Sequence, residues 1–406
     1  MTLSSTASSN HPFPTSAPAK RRWRWRFVLL FAGCAFGVLC AEILLRSIGV
    51  SYPLPYRPDD DCGTVLAPRF AGRFTQEGRA YVTTNSHGLR DREYAVPKSD
   101  GTFRIVVLGD SYAEALQVDA SETFWSVIER HLSESPHLKG KNIEVINFGV
   151  SGYGTAQELQ MFRSRARRFE PDLVLLAFVT GNDIRNNSPA LEPDHNRPFF
   201  MIENDELKLD SSFLQHPDQV KARRATTRLK VKLINSSRVL QVVNYWKNHR
   251  PAPVAADTGH TFAEAGLDVG CYHPPANPDW KQAWLITEKI LGAMHAEAAA
   301  HNAKFCVVTL SNGIQVHPDA EVRDDFKKQF GIADLMYPDR RVKSIGERVG
   351  FPVHNLAEPL QKLAEEQRVY WHGFENTRMG TGHWNADGHR QAGELIVEFL
   401  QREVLE

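Results

Sequence analysis

The sequence predicts an α/β fold, a parallel sheet with helices packed on both faces, preceded by one membrane-spanning helix. Three observations predict it. From residue 103 onward, short apolar runs alternate with stretches of helical periodicity, the pattern of βαβ units. The runs are continuously apolar rather than alternating, as in strands covered on both faces. A separate nineteen-residue apolar stretch, 27–45, precedes the alternation and carries a single charge, Glu42.

Residues 1–26 begin as a Ser-, Thr-, Pro- and Asn-rich tail with no apolar periodicity, which predicts disorder. The tail ends in Lys20, Arg21, Arg22, Arg24 and Arg26, interleaved with Trp23 and Trp25, so this segment is +5 and the rest of the chain −5. Nineteen helical residues span roughly 28 Å, about the thickness of a bilayer core. Cations precede the span and aromatic residues stand at its start, so the positive-inside rule predicts a cytoplasmic tail and an extracytoplasmic body. The competing readings are a cleaved signal peptide, a lipoprotein cysteine at Cys34 and a buried core helix. The long apolar run, the missing small-x-small site and the asymmetric flanks favour an uncleaved signal anchor over 27–46.

Residues 47–100 predict a membrane-proximal linker with a small hairpin, its strands near 70–74 and 80–84. The body follows at 101–406. Apolar runs at 103–108, 143–148, 173–179, 305–310 and 352–356 predict strands; 122–133, 157–169, 281–302, 340–349, 357–367 and 385–402 predict helices. Residues 184–279 interrupt the rhythm with a hairpin (199–202 and 207–209), a helix (229–246) and a loop-rich stretch, and are expected to be an insertion. A composition of 42% hydrophobic and 24% charged residues suits a globular body, and a net charge of zero argues against nucleic-acid binding. Of five cysteines none forms a CxxC; Cys34 and Cys40 lie in the span, Cys306 in a strand, and Cys62 and Cys271 in polar loops where they can pair. The histidines form no metal-binding spacing and no cofactor is implied.

Parallel strands bring their carboxyl ends to one edge, where α/β sheets bind ligands. The first three strands end in Gly109-Asp110-Ser111, in Asn147-Phe148-Gly149-Val150-Ser151-Gly152 and in Gly181-Asn182-Asp183. His383, just before the last helix, can return to that edge. Acyl transfer needs a nucleophile, a base and donors for a developing oxyanion. Ser111 offers the hydroxyl and His383 the base. The backbone N–H groups of Ser111 and Gly152 and the amide of Asn182 offer the donors. Asp110 and Asp183 are expected to hold turn backbones. Ser151 falls short of a Gly-x-Ser-x-Gly elbow because Tyr153 takes the last glycine position, and the 149–154 glycines are in the wrong order for a dinucleotide loop. His87 is expected in a turn and His389 as a packing or capping residue of the last helix.

These blocks, with His383-Trp384-Asn385 and the lead-in Asn85-Ser86-His87-Gly88-Leu89-Arg90-Asp91, resemble the SGNH (GDSL) hydrolase superfamily, in particular its membrane-anchored bacterial members. The resemblance covers about 101–406 outside the insertion, and likeness to bacterial members implies that the extracytoplasmic body is periplasmic. It implies a flavodoxin-like three-layer α/β/α sandwich and ester hydrolysis or acyl transfer to sugars, with Ser111 as nucleophile, His383 as base, and Gly152 and Asn182 as oxyanion donors. The expected substrate is an acylated, preferably acetylated, carbohydrate or a small ester. An O-acyltransferase and an inactive glycan-binding or assembly module remain open alternatives. One position departs from the family: the acid usual three residues before the histidine is Gly380 here. A backbone carbonyl or Glu375 is then the expected partner orienting His383.

Overall fold

The structure, a computed structural model, describes residues 19–248, 264 and 266–405. Of the tail expected to be disordered, 1–26, the residues before 19 lie outside the described residues and 19–26 instead open a helix; half of the loop-rich stretch 251–278 also lies outside the described residues. Helix α1 (Ala19–Ser47) contains a segment, Trp23–Ser47, long and apolar enough to cross a membrane. Two hairpins follow. One joins β1 (Tyr56–Asp59) to β2 (Gly63–Leu66), and the other joins β3 (Ala71–Phe74) to β4 (Ala80–Thr83). The first was not anticipated, because four-residue strands containing a proline leave little pattern.

The sheet then forms from β5 (Thr102–Gly109), leading into the short helix α2 (Ser111–Glu114) and α3 (Phe124–Ser133). β6 (Asn142–Asn147) and α4 (Thr155–Ser164) come next, then β7 (Leu173–Val179) and α5 (Asp183–Asn186). A hairpin of β8 (Phe199–Glu203) and β9 (Glu206–Asp210) leads to α6 (Pro217–Arg223), α7 (Ala225–Ser236) and α8 (Arg238–Asn248). The chain closes with α9 (Pro278–Ala300), β10 (Lys304–Leu310), α10 (Ala320–Phe330), α11 (Tyr337–Val349), β11 (Val353–Asn355), α12 (Ala357–Gln367) and α13 (Ala386–Phe399).

Five strands form the central sheet in the order β11-β10-β7-β5-β6, every pair parallel. In chain order this is the 2-1-3-4-5 arrangement of flavodoxin-like sheets, whose crevice opens between the first and third strands, here β5 and β7. Alternate residues of the strands feed two apolar cores. Val106, Leu108, Val174 and Leu176 pack beneath α4 and α9, and Ile105, Val107, Leu173 and Leu175 pack beneath α3 and α13. All seven residues of β7 are buried, which accounts for its unbroken apolar run.

The structure departs from expectation at three further places. The predicted helix 229–246 is two helices, parted at Ser237, whose backbone is extended (φ −125°, ψ 125°). Ser237 accepts the N–H of Leu240 through Oγ, so the serine caps α8 instead of continuing α7. Helix α10 was not predicted; only Arg323 and Phe326 of its eleven residues are buried, too thin an apolar stripe to read. Finally, all five cysteines are free thiols, so Cys62 and Cys271 do not pair; each is buried separately in its own turn.

Candidate active site

β5 ends at Gly109, and the chain turns at once into α2 with Ser111 as its first residue. Asp110 stabilises that turn: its Oδ1 accepts the Tyr112 N–H (2.9 Å) and its Oδ2 accepts the amide of Asn182 (3.0 Å). Asp183 likewise holds a turn, accepting the Val179 N–H at 2.7 Å. Both carboxyls are fully buried, and burial pushes their pKa values up.

His383 reaches the same edge from the loop before α13. Its Nε2 lies 2.8 Å from Ser111 Oγ, and its Nδ1 lies 2.5 Å from Glu77 Oε2. The second Glu77 oxygen accepts the backbone N–H of His383 at 2.8 Å. A carboxylate on Nδ1 fixes the tautomer that carries a proton there and leaves the Nε2 lone pair for the serine hydroxyl. Burial disfavours a charged imidazole here, but the Glu77 hydrogen bond and charge, with Asp110 and Glu264 behind them, outweigh it and hold the His383 pKa above its ordinary value. For Glu77 burial works upward, and the hydrogen bonds and charge of His383 win, drawing its pKa down.

The carboxylate beside His383 is therefore Glu77, from the turn between β3 and β4, and not the expected Glu375. Glu375 is exposed, in the loop ahead of His383. Its neighbour Asn376 does the joining. Asn376 Oδ1 accepts the Gly78 N–H (2.9 Å) and its Nδ2 donates to the carbonyls of Thr75 (3.1 Å) and Gly78 (3.2 Å), splinting the hairpin turn onto the histidine loop. Gly380 leaves no space for a side chain: its φ is +83°, and a Cβ would stand 2.9 Å from the His317 ring and 3.1 Å from Tyr370.

A layer that sequence reading missed locks the loop. Tyr112 donates its hydroxyl to the Gly382 carbonyl (3.0 Å), and its ring lies 4.9 Å from that of His383. His372 Nδ1 lies 2.6 Å from the same carbonyl, and its Nε2 lies 3.0 Å from Ser311 Oγ, which also accepts Trp384 Nε1–H (2.9 Å). Burial pushes the His372 pKa down to about 4, so this second histidine is a neutral strut.

Three donors face the cleft. Gly152 adopts φ +78° and is exposed, with open space where a Cβ would stand. Neither its N–H nor that of Ser111 meets an acceptor among the described residues. Asn182 spends one amide hydrogen on Asp110 and has a second. Glu114 sets the height of the Gly152 turn by accepting the Ser151 N–H (2.8 Å), the Ser151 hydroxyl and the Tyr56 hydroxyl (2.9 Å). The Ser151 hydroxyl is thus engaged in structure. Buried Arg90, from the lead-in motif, holds the carbonyls of Glu114 (2.7 Å), Ala115 and Val118 (2.5 Å) behind the turn that carries Ser111. His87 sits in its turn with its ring 5.3 Å from Phe169, and buried His389 accepts the Phe124 N–H at 3.3 Å. Ser111, Gly152, Asn182, Glu77 and His383 line one cavity of about 850 Å³. It extends to Tyr52–Tyr56 and to Asn244 and Tyr245 of α8. Glu264 also lines it; burial pushes its pKa up to about 7, although Oε1 accepts the Gly313 N–H at 2.9 Å. Among the described residues no cluster of His, Cys, Asp and Glu is arranged to hold a metal ion.

Solved structures with a similar fold include a lipase/acylhydrolase from Enterococcus faecalis (12% identity, 74% of this chain and 96% of that one, TM-score 0.36). Others are the acetyl xylan esterase AlAXEase (11% identity, 73% and 100%, TM-score 0.35) and a variant of an acetyl-xylooligosaccharide esterase from Geobacillus (12% identity, 75% and 98%, TM-score 0.37). No curated protein sequence matches the chain. Residues 107–391, well over half of the sequence, match the family model of the GDSL-like lipases and acylhydrolases, and the chain belongs to that family.

Proposed function

We propose that the protein is a serine esterase that cleaves O-acyl groups, acetyl foremost, from a carbohydrate or cell-envelope polymer. One observation carries this reading: an unbroken Glu77–His383–Ser111 relay, 2.5 and 2.8 Å per link, beside the unpartnered N–H groups of Ser111 and Gly152 and the amide of Asn182. His383 Nε2 takes the hydroxyl proton as Ser111 Oγ attacks the ester carbonyl. The three donors receive the oxyanion, and the alcohol leaves with the proton that His383 returns. Water, deprotonated by His383, then releases the acid and restores Ser111. Glu77 is a positioning residue in this scheme; it touches His383 and not the substrate. Tyr56, Asn186, Glu192, Arg197 and Asn244 along the cleft offer polar groups suited to a hydroxyl-rich ligand. The body is read as anchored through α1 on the extracytoplasmic side, supported by the +5 charge ahead of the span.

The test is hydrolysis of p-nitrophenyl acetate and of acetylated xylan oligomers by the full chain in detergent, with covalent labelling by a fluorophosphonate. Ser111→Ala is expected to abolish labelling and to lower kcat/KM at least about a thousandfold. Labelling that persists in Ser111→Ala, or a wild-type protein inert to every acyl ester, overturns the reading.

A further inference from the structure

The pair α7–α8 carries an apolar face that no other described residue covers. Leu229 and Leu233 on α7, and Leu240, Val243 and Trp246 on α8, are all exposed, Trp246 to 77%. Their spacings of four, three and three residues put each set on one side of its helix. The opposite sides turn to the fold, where Ile234 and Gln241 are buried. Asn235 pairs with the N–H and carbonyl of Leu54 (2.9 and 3.2 Å), Gln241 accepts the Tyr52 N–H (2.9 Å), and Tyr245 stacks on Tyr52 with ring centroids 4.3 Å apart.

The location of this face is fixed by α1. Glu42, in the last turns of that helix, accepts Ser237 Oγ–H (3.0 Å), the Arg238 N–H (3.0 Å) and the Val239 N–H (3.1 Å). Arg46, one turn further on, donates to the Ser236 carbonyl at 2.9 Å. The α7–α8 junction is therefore clamped to the C-terminal end of the apolar helix, where a spanning segment leaves the hydrocarbon. Charge points the same way. Residues 225–248 hold Arg228, Lys230, Lys232, Arg238 and Lys247 and no acid, whereas the rest of the chain beyond residue 26 is −10. Cationic helices with an exposed Leu, Val and Trp face, held at the end of a span, have the composition of helices that lie in a lipid headgroup layer.

We infer that α7 and α8 lie flat in the anionic headgroup layer of the leaflet where α1 ends, with Leu229, Leu233, Leu240, Val243 and Trp246 dipping into lipid. The inference rests on the reading of α1 as a membrane anchor. α8 then has two working faces: Val243 and Trp246 meet the bilayer, and Asn244 and Tyr245 line the cleft that leads to Ser111. The catalytic cleft is held against the membrane surface instead of hanging from a free tether.

Spin labelling of the full chain in phosphatidylcholine vesicles containing a minority of phosphatidylglycerol tests this. In a background with Cys34→Ser and Cys40→Ser, nitroxides are placed singly by Phe36→Cys, Leu233→Cys, Val243→Cys, Trp246→Cys and Lys328→Cys, the last on exposed α10. Collisions with oxygen and with a water-soluble nickel chelate are then compared. The expected order has residue 36 deepest, residues 233, 243 and 246 at headgroup depth, and residue 328 in water. Residue 36 deep with 233, 243 and 246 as open to nickel as 328 overturns the docking while the anchor stands. Residue 36 open to nickel overturns the anchor, and the docking with it. None of these residues belongs to the catalytic relay, so esterase assays on the same variants report separately on the proposed activity.

Discussion

The two sides of His383 are built on different principles. Its Nε2 faces Ser111, placed by the sharp turn at the end of β5 and steadied by Asp110 within the same turn. Its Nδ1 faces Glu77, which lies 306 positions away in sequence, in the turn of a hairpin near the α1 end of the chain. The serine side is set by local backbone geometry that any parallel sheet provides at its carboxyl edge. The carboxylate side is set by tertiary docking, with Asn376 as the splint. Ser111, Gly152 and Asn182 thus belong to the edge of the sheet, while the orientation of His383 depends on the segment that joins the sheet to α1.

Ser111→Ala breaks the first side and carries the largest expected loss, as stated above. Glu77→Gln breaks the second with nearly the same shape and no charge. The expected loss in kcat is about a hundred- to ten-thousandfold, because an amide neither stabilises the imidazolium nor fixes its tautomer. The pH profile distinguishes orientation from mere structure. Glu77 holds the His383 pKa up, and a histidine in the proposed role of base works only when neutral, so wild-type activity is expected to rise with pH through that elevated pKa. Glu77→Gln removes the support, and the acidic limb of kcat/KM is expected to move to lower pH while the plateau falls. A fallen plateau with an unmoved limb indicates that Glu77 only holds the hairpin in place.

The same contrast explains what was legible in the sequence. Ser111, Gly152 and Asn182 each follow an apolar run with small polar residues, and strand and turn announce one another. The lead-in around Arg90 was visible as a motif, but its task of pinning three carbonyls required the fold. Glu77 carried no mark: an acid between Gln76 and Gly78 in a hairpin turn reads as a solvated loop residue. The one available signal was negative, namely the absence of an acid at Gly380. It directed attention to Glu375 in the same loop, because sequence proximity was the only guide. The residue beside it, Asn376, binds the distant turn, and no pairwise pattern in a single sequence encodes that. The division of 229–246 into two helices escaped for the same reason, since Glu42 of α1 grips the N–H groups at the break.

Two smaller effects sharpen the comparison. Gly380→Asp restores an acid at the family's usual position, yet it is not expected to rescue Glu77→Gln. The positive φ and the His317 and Tyr370 rings beside the missing Cβ make the substitution strained, at a cost of about 1–3 kcal/mol read as a lowered Tm. Rescue of activity in the double variant is the result that contradicts the crowding argument. Glu375→Gln should do least of all. Its side chain is exposed and does not meet His383, so kcat, its pH dependence and stability are expected to stay at wild-type values, within about 0.5 kcal/mol. A loss at Glu375 approaching that at Glu77 would mean that the loop rearranges during turnover to exchange one carboxylate for the other. The hairpin turn would then be a resting partner of the base instead of its working one.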